Sequence, residues 1–378
     1  MDIMKQMIYA DNAATTKLDI EAFEAMKPYL LENYANASQP YSFSRVAKKA
    51  LKESREMIAK CINAEPEEVF FTSGGTESDN WAIKGIVHND SSRNAIITSN
   101  IEHHAVLNSC RQVERLGVPV AYLPANEEAI IAPEILKKFI TNQTKLVSVM
   151  MANNEVGSIQ PIKELCEIAH ENGAIFHTDA VQAVGHISVD VKALGVDLLS
   201  ASAHKFNGPK GVGFLYIKKG TNIIAHENGG QQEQTLRAGT ENIASIVGMA
   251  IALRNNCSNL ETNISCIESL ENKLLETLTN SRIDFIKNGS IYKIPGNISL
   301  SFKSYDGEAI MHRLDLQGIC ISTGAACDSV NTQLSHVIEA IKVPAEYANG
   351  TIRISLGKNN TEEEVYKIVE SIKAILNS

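Results

Sequence analysis

Short apolar runs alternate with longer amphipathic stretches through the first half of the chain. Runs such as 69–72 and 146–150 are rich in β-branched or aromatic residues and are bounded by polar residues, a pattern typical of buried strands. The predicted strands are 69–72, 95–98, 118–123, 146–150 and 174–178, and the predicted helices are 76–87, 105–116, 133–140, 162–172 and 180–184. This alternation predicts an α/β fold with a mainly parallel sheet, in which ligands bind at the carboxyl ends of the strands.

The flanking sequence predicts further helices and a second, smaller unit near the end of the chain. The additional predicted helices are 20–33, 42–62, 240–255, 260–279, 307–316 and one beginning at 361, and the later predicted strands are 297–302 and 351–355. Two strands and several helices after a long helix are typical of a separate α+β unit. We therefore predict a large domain at 15–255 and a smaller domain formed by 1–14 and 256–378.

One polar loop lies between two further predicted strands, 196–200 and 213–217. It carries two hydroxyls, an imidazole and an amine, at Ser200, Ser202, His204 and Lys205. A lysine held among small residues is suited to forming a Schiff base, because burial lowers the amine pKa from its ordinary value of about 10.4 towards useful nucleophilicity. The alternative is a solvated loop lysine with no chemical role.

A glycine-rich turn opens the predicted helix 76–87. Gly74 and Gly75 let the backbone approach a ligand, and the start of the helix offers unpaired N–H groups at the positive end of its dipole. Thr76 adds a hydroxyl, so the turn is a candidate phosphate cradle. The alternative is a capped helix start, with Thr76 as N-cap and Asp79 three residues later in an approximate capping box.

Polar residues follow the other predicted strands in the same way. His103 could stack on a flat ring or belong to an ordinary turn, and Asp179 could face a pyridinium nitrogen or cap the next helix. The strand-end set is Thr76, His103, Asn154, Asp179, Gln182, Ser202, His204 and Lys205. Together these residues supply phosphate donors, a stacking group, a partner for a ring nitrogen, donors for a ring hydroxyl and an imine-forming amine. Pyridoxal phosphate needs each of them, and the combination is more specific than any single member.

Composition and charge narrow the class of protein. The 378 residues carry a formal net charge of -9 and a pI of about 5.6, which disfavours a nucleic-acid-binding or anionic-membrane-binding surface. No run reaches membrane-spanning length, and the N-terminus has no apolar stretch typical of a signal peptide. The seven cysteines show no zinc-binding spacing, so we expect reduced thiols, no metal site and a cytoplasmic protein.

The motifs identify a family resemblance across nearly the whole chain. The matching segments are SGGTESDN at 73–80, EH at 102–103, NNEVG at 153–157, HTDAVQ at 177–182, SAHK at 202–205, GPKG at 208–211, RAGT at 237–240, STGAAC at 322–327 and RISLG at 353–357. In this order they resemble the class V aminotransferase group of fold-type I pyridoxal-phosphate enzymes. Within that group the chain looks like a NifS/IscS-type cysteine desulfurase.

The resemblance implies pyridoxal 5'-phosphate as cofactor and assigns roles around it. Lys205 would hold the cofactor and later move protons, while His103 would stack on the ring and serve in acid–base steps. Asp179 would pair with the ring nitrogen and Gln182 would contact the ring oxygen. The residues implied at the phosphate are Gly75, Thr76, Ser202 and His204.

The resemblance also implies a substrate site and a partner subunit. Asn154 and Arg353 would hold the carboxylate of L-cysteine, Arg353 through a bidentate fork. The threonine matching Thr240 reaches the phosphate of the neighbouring subunit in this family, which implies a homodimer. A sulfur-acceptor protein would be a further partner.

Cys327 is the residue that separates a desulfurase from an aminotransferase. It lies in a loop of small residues, 323–329, that shows no apolar pattern. The resemblance implies that its thiolate attacks the substrate sulfur, giving alanine and a persulfide on Cys327 for delivery to iron–sulfur assembly or tRNA thiolation. The alternative is an incidental loop thiol, since free Cys has a pKa of about 8.5 and is mostly protonated at neutral pH.

Three departures from the family pattern keep other functions open. Asp328 stands where the family usually has a hydroxyl residue, Tyr41 replaces a histidine, and Ser44 replaces a glycine. A carboxylate beside the thiol would raise the thiol pKa. The alternatives are therefore a selenocysteine lyase or another class V reaction such as amino transfer, and a catalytically weak sulfur-relay partner.

Overall fold

The structure is a computed structural model that describes residues 7–87, 93–323 and 334–377. The strands are β1 Ile8–Tyr9, β2 Val69–Thr72, β3 Ala95–Ser99, β4 Val120–Leu123, β5 Thr144–Ser148, β6 Ile175–Asp179, β7 Leu198–Ser202, β8 Gly213–Ile217, β9 Phe285–Lys287, β10 Asn297–Phe302, β11 Ile319–Cys320 and β12 Thr351–Ser355. The helices are α1 Ile20–Leu31, α2 Arg45–Cys61, α3 Gly75–Val87, α4 His104–Arg115, α5 Pro133–Phe139, α6 Ile162–Glu171, α7 Val191–Leu194, α8 Ile243–Ser258, α9 Leu260–Asn280, α10 Gly307–Asp315, α11 His336–Ala340, α12 Ala345–Ala348 and α13 Glu362–Leu376.

A seven-stranded sheet forms the larger part of the described chain, in the order β2-β8-β7-β6-β5-β3-β4. Only β8 runs antiparallel, against both β2 and β7, so the predicted mainly parallel α/β sheet is confirmed. Helices cover both faces, so strands such as β5 are buried along their whole length. Trp81 and Val106 lie in the core on the α3–α4 side, and Phe176 lies in the core on the opposite side.

A smaller antiparallel sheet has the strand order β12-β10-β9 and packs against α9, α10 and α13. The sequence predicted two of these strands, and the short β9 was missed. The core of this region contains Ile8 and Ala10 together with residues from Ile267 onwards. We propose the domain bounds 15–255 and 1–14 with 256–378 on this basis, and they stay a prediction.

The predicted helix 180–184 is wrong. The carbonyl of Ala180 accepts hydrogen bonds from the N–H groups of Ala183 and Val184, each at 2.9 Å, which makes a single turn. Gly185 then takes a φ of +81°, and a Cβ there would lie 2.6 Å from the Cβ of Phe206. This close packing turns the chain away before a second helical turn can form.

Two boundaries near the predicted site also differ from the prediction. The strand expected at 196–200 is β7, which extends to Ser202, and a 3-10 turn from Ala203 to Lys205 follows it. The helix expected from Thr76 begins at Gly75. Over the described residues, no helix combines the length and the apolar character needed to cross a bilayer.

Candidate active site

A cleft of about 540 Å³ lies at the carboxyl ends of the parallel strands, where the sequence predicted a ligand site. The predicted site residues that line it are Gly75, Thr76, His103, Asn154, Asp179, Gln182, Ser202, His204, Lys205 and Arg353. They come from both sheets, because Arg353 belongs to β12 and the others belong to the large sheet and its loops. The fold therefore collects one cluster from residues as far apart in sequence as Gly75 and Arg353.

Lys205 ends the 3-10 turn after β7 and points into the cleft. Its Nζ donates hydrogen bonds to the carbonyl oxygens of Ala13 at 2.7 Å and Ala14 at 2.9 Å. From behind, Nε2 of His186 donates to the Lys205 carbonyl at 2.8 Å and fixes the backbone of the turn. These contacts contradict the alternative of a solvated loop lysine. In the same loop Lys210 is exposed.

The glycine turn before α3 leaves room that side chains would fill. Gly74 has a φ of +149°, and a Cβ on Gly75 would lie 2.6 Å from Cγ2 of Val181 and 3.6 Å from Cβ of Ser202. The open N-terminus of α3 and the Ser202 hydroxyl thus face one small volume, which suits a phosphate group. Thr76 lines the same part of the cleft.

The alternative capping box at this turn is wrong. The carboxylate of Glu77 accepts from the N–H of Ser73 at 2.8 Å, and Thr76 lies inside the helix rather than at its N-cap. Asp79 is buried and is therefore not a surface capping residue. Arg237 anchors Glu77 with Nε at 2.9 Å and lowers the pKa of that carboxyl, although burial opposes the shift.

Asp179 ends β6 at the floor of the cleft and is 5% exposed. Its Oδ1 accepts a hydrogen bond from the N–H of Val181 at 2.9 Å. Burial raises the pKa of this carboxyl to about 6, while the Val181 N–H and the Lys205 ammonium oppose the rise. Asp179 is thus ionised at neutral pH and presents a negative charge to any ring nitrogen bound above it.

Two imidazoles line the cleft in neutral form. His103 caps α4, with its Nδ1 accepting from the N–H of Ala105 at 3.1 Å, so the ring proton resides on Nε2. Burial and the nearby Lys205 lower the pKa of His103 to about 4. His204 contacts Thr15 Oγ1 through Nδ1 at 3.1 Å, and burial lowers its pKa to about 4 as well. Both rings are therefore uncharged at neutral pH, and the Nε2–H of His103 is left as a hydrogen-bond donor.

Arg353 forms the wall opposite the floor and is 3% exposed. Its guanidinium donates to the Asn154 carbonyl oxygen at 2.9 Å and to Oδ1 of Asp11 at 2.8 Å. Asn297 also donates to the same carbonyl of Asn154, at 3.3 Å. Nε of Arg353 has no hydrogen-bond partner among the described residues. A buried cation with an unused donor suits a carboxylate ligand.

Sequence reasoning missed the segment from Asp11 to Thr15. The carbonyl of Ala13 accepts from both Lys205 and Gln182, the latter at 3.0 Å, while Asp11 holds Arg353. The alanines offered no signal because they act through backbone carbonyls, which every residue carries. Three acids and bases on the cleft wall were also missed, namely His104, Glu155 and His336.

One described site residue of the prediction lies away from the cleft. Thr240 is exposed and does not line it, so its role toward a neighbouring subunit stays a prediction. Cys327 and Asp328 lie outside the described residues. Before these two residues in the sequence, the backbone of Ser322 exchanges hydrogen bonds with that of Arg353, at 3.1 and 2.7 Å. Ser335 donates to Oε2 of Glu155 at 2.5 Å.

No cluster of three or more His, Cys, Asp or Glu side chains arranged to hold a metal ion occurs in the ranges 7–87, 93–323 and 334–377. The cysteines described in these ranges are free thiols. The donor set of the cleft is therefore made of amine, imidazole, carboxylate, guanidinium, hydroxyl and backbone groups.

Comparison with known proteins places this geometry in a family. Residues 8–368 match the family described as aminotransferase class-V. The cysteine desulfurase IscS of Dictyoglomus turgidum is 47% identical over 375 residues, which cover 99% of this chain and 95% of the relative. A solved structure described as a NifS-like protein superposes with a TM-score of 0.93 at 37% identity, covering 98% of this chain and all of that chain.

A further structure, described as SspA in complex with cysteine, has a TM-score of 0.83 at 32% identity and covers 94% of this chain and all of that chain. The resemblance that the motifs indicated is thus confirmed by whole-chain comparisons of sequence and of fold. The chain belongs to the aminotransferase class-V family, in the group of IscS- and NifS-type cysteine desulfurases.

Proposed function

We propose that this chain is a pyridoxal-phosphate-dependent cysteine desulfurase, which converts L-cysteine to L-alanine and transfers the sulfur to Cys327. The observation that carries the proposal is the meeting of Lys205, Asp179 and Arg353 in one cleft. The Lys205 amine suits imine formation, and the buried carboxylate of Asp179 suits a ring nitrogen. The buried guanidinium of Arg353 suits the substrate carboxylate. The names of the similar proteins support the same activity.

The residues of the cleft fit pyridoxal 5'-phosphate. A Cβ on Gly75 would fill the cradle at the start of α3, and Ser202, Thr76 and His204 stand around it as phosphate donors. Asp179 would supply the carboxylate for a ring nitrogen, and Gln182, which lines the same cleft, would contact a ring oxygen. When bound, this cofactor supplies an electron sink next to the substrate α-carbon.

Proton transfer falls to Lys205 and His103. The Lys205 amine donates to the carbonyls of Ala13 and Ala14, which hold it at the cleft where it can attach the cofactor and move protons. His103 carries its proton on Nε2 and is neutral above about pH 4, so in the neutral range its Nε2–H is the proton it can give in an acid–base step. Asp179 stays ionised and stabilises positive charge at the floor.

Arg353 positions the substrate carboxylate. Because Asp11 and the Asn154 carbonyl hold two of its nitrogens, the guanidinium keeps one orientation and still has Nε to donate. We expect the side chain of Asn154 to add a second donor. Fixing the carboxylate in this way orients the α-carbon of L-cysteine toward Lys205.

Cys327 is proposed as the sulfur acceptor, on the sequence and on the family resemblance. Its thiolate attacks the substrate sulfur, an S–S bond forms, and the C–S bond breaks with its electron pair going to carbon. That carbon then takes a proton, so L-cysteine plus a thiol gives L-alanine plus a persulfide. No atoms or electrons are left over, and no further oxidant is required.

The partners follow from the same proposal. A homodimer would bring Thr240 of one chain to the cleft of the other, and a sulfur-acceptor protein would take the persulfide sulfur to iron–sulfur assembly or tRNA thiolation. The free thiols of the described residues are compatible with a reducing, cytoplasmic setting. With a net charge of -9, direct nucleic-acid binding is not expected.

Alanine formation from L-cysteine tests the proposal. Wild type and Cys327→Ala would each be checked for bound cofactor by absorbance before assay. We expect turnover in wild type, no turnover in the variant and a persulfide on Cys327 by mass spectrometry. Equal turnover in both would favour a selenocysteine lyase or an aminotransferase, and inactivity in both, with cofactor bound, would favour the sulfur-relay alternative.

A further inference from the structure

A buried chain of polar side chains runs beneath the floor of the cleft and takes no part in the chemistry proposed above. His177 on β6 contacts Ser148 Oγ through Nδ1 at 2.8 Å and Ser200 Oγ through Nε2 at 3.0 Å. All three residues are 0% exposed. Burial lowers the pKa of His177 to about 3, so its ring is neutral and donates from only one nitrogen.

Asp79 on α3 lies at the end of this chain and also lines the cleft. It is 1% exposed, and its Oδ1 lies 3.7 Å from Nε2 of His177, too far for a hydrogen bond. Oδ1 has no hydrogen-bond partner among the described residues. The Ser200 hydroxyl is within hydrogen-bonding reach of the carboxyl. Asp79 thus connects the cleft to the buried chain through Ser200.

The groups around Asp79 favour its neutral form. Burial, and then the negative charge of Asp179, raise its pKa well above the ordinary value, although Ser200 opposes the rise. Glu102, whose pKa burial raises to about 8, accepts from Ser99 Oγ at 2.5 Å and from the Met150 N–H at 2.9 Å.

Two more titratable groups face this region. On α4, burial raises the pKa of Cys110 to about 12, so its thiol is protonated. The Lys205 ammonium lowers the pKa of Asp179. The Val181 N–H also donates to Asp179, so two groups stabilise the anion of Asp179.

We propose that Asp79 is a positioning residue that keeps its proton and donates it to Ser200, leaving Asp179 as the single ionised carboxyl at the floor of the cleft. The role matters because one negative charge matches one protonated ring nitrogen. It rests on the cofactor site proposed above, but its test does not need that cofactor.

The direction of the hydrogen bonds reports the proton on Asp79. If Asp79 is neutral, it donates to Ser200, Ser200 donates to Nε2 of His177, and Nδ1–H of His177 donates to Ser148. If Asp79 is ionised, Ser200 turns to donate to it, and Nε2 of His177 must donate to Ser200 instead. The His177 tautomer therefore shows whether Asp79 donates to Ser200 or accepts from it, because each hydroxyl has only one proton to give.

Nitrogen NMR of the full-length chain labelled at its histidines reads this tautomer directly. The signal of His177 is assigned by its absence in His177→Gln, and spectra are taken at neutral pH before and after saturation with pyridoxal 5'-phosphate. We expect the proton on Nδ1 in wild type and in Asp79→Asn, since the amide of asparagine also donates. A proton on Nε2 in wild type that moves to Nδ1 in Asp79→Asn would overturn the proposal.

Cofactor affinity and pH-dependent stability provide a second readout. Asn replaces a neutral carboxyl without changing the charge of the floor, so the dissociation constant of pyridoxal phosphate should stay within about twofold, whereas a tenfold rise, about 1.4 kcal/mol, contradicts the role. The melting temperature of Asp79→Asn relative to wild type should rise with pH, because the unfolded chain releases the Asp79 proton at lower pH than the folded chain. A pH-independent difference would indicate a merely structural contact.

If the chain binds no pyridoxal phosphate at all, the cofactor proposal fails while the His177 tautomer remains readable. If the chain binds it and the tautomer is wrong, only the role of Asp79 fails. Asp179→Asn is the matched control, since it removes the one charge that we place at the floor. That variant should weaken cofactor binding by about tenfold or more.

Discussion

The floor and the wall of the cleft are built in different ways. The floor is formed by Asp179 at the end of β6 and Asp79 on α3, with His177 beneath it, and all three side chains are buried within the large sheet and its helices. The wall depends on Arg353, which reaches the cleft from the second sheet and is held by Asp11 from the far end of the chain. The floor is thus a property of one sheet, whereas the wall exists only when two sheets are packed together.

The two cations of the site differ in the same sense. Lys205 donates to the backbone carbonyls of Ala13 and Ala14, and its primary amine is the group suited to imine formation. Arg353 is paired with a carboxylate and stays charged, which suits binding rather than proton transfer. The cleft thus carries its reacting groups at the floor and its carboxylate-binding group, Arg353, at the wall. Four predictions test this division of roles.

Lys205→Ala should have the largest effect. Loss of the amine removes covalent attachment of the cofactor and the proton transfers assigned to Lys205, so turnover should fall by about 10²–10⁴-fold through proton transfer alone. Alanine release measures turnover, and mass spectrometry after borohydride reduction measures attachment. Lys210→Ala is the matched control, because Lys210 lines the same cleft and should keep the attachment. If the cofactor still attaches covalently to Lys205→Ala, another residue forms the imine and the assignment of Lys205 is wrong.

Arg353→Lys should affect binding more than chemistry. A lysine cannot reproduce the fork toward Asp11, the Asn154 carbonyl and a substrate carboxylate, so kcat/KM for L-cysteine should fall by about 10- to 100-fold, mainly through KM. Initial rates at varied cysteine concentration separate the two constants. Arg313→Lys is the control, since Arg313 donates to the Ile375 carbonyl away from the cleft. A fall in kcat with KM unchanged would contradict the assignment of Arg353 to substrate binding.

Gly75→Ala should weaken cofactor binding by a smaller factor, about tenfold. The new Cβ would meet Cγ2 of Val181 at 2.6 Å inside the phosphate cradle. Gly85→Ala on the same helix is closely matched, because its Cβ would meet Cγ1 of Ile223 at 2.6 Å, outside the cleft. Both should lose about 1–3 kcal/mol of unfolding free energy. Fluorescence titration should show weaker cofactor binding only for Gly75→Ala, and equal affinities would place the phosphate elsewhere.

His103→Asn and Glu102→Gln should change stability with opposite dependence on pH. The folded chain holds His103 neutral down to about pH 4, so the stability advantage of His103→Asn should grow as pH falls from about 6.5. Burial raises the pKa of Glu102 to about 8, so the advantage of Glu102→Gln should grow as pH rises from about 4.3 toward 8. Each slope is at most about 1.4 kcal/mol per pH unit. Urea unfolding of the cofactor-free chain measures both, and parallel slopes would contradict the assignment.

The meeting of Asp179, His103 and Lys205 could be predicted from the sequence because each comes at or shortly after the end of a strand of the large sheet. Carboxyl ends of such strands meet at one edge, so Asp179, His103 and Lys205 had to lie close together. The wall was named through family resemblance and not through pattern, since nothing local marks Arg353 as a ligand. Its orientation depends on Asp11, whose contact spans 342 residues.

Local rules failed where tertiary contacts decided the outcome. Helical propensity favoured 180–184, but the packing of Gly185 against Phe206 ends the turn after Val184. The capping box at Thr76 was displaced by Glu77, which Arg237 holds from a distant loop. Backbone carbonyls such as those of Ala13 and Ala14 have no signature in the sequence at all.

The segment around Asp11 and Ala13 also has a consequence for synthesis on the ribosome. It holds Lys205 and Arg353 at once, and the N–H of Ala13 donates to Ser355 Oγ at 2.9 Å. At about 5–20 residues per second, roughly 20–70 seconds separate translation of Asp11 from that of Ser355. The nascent chain therefore carries an incomplete site until its last strand emerges. A prematurely terminated product would lack Arg353 and the contacts that join Asp11 and Ala13 to the last strand.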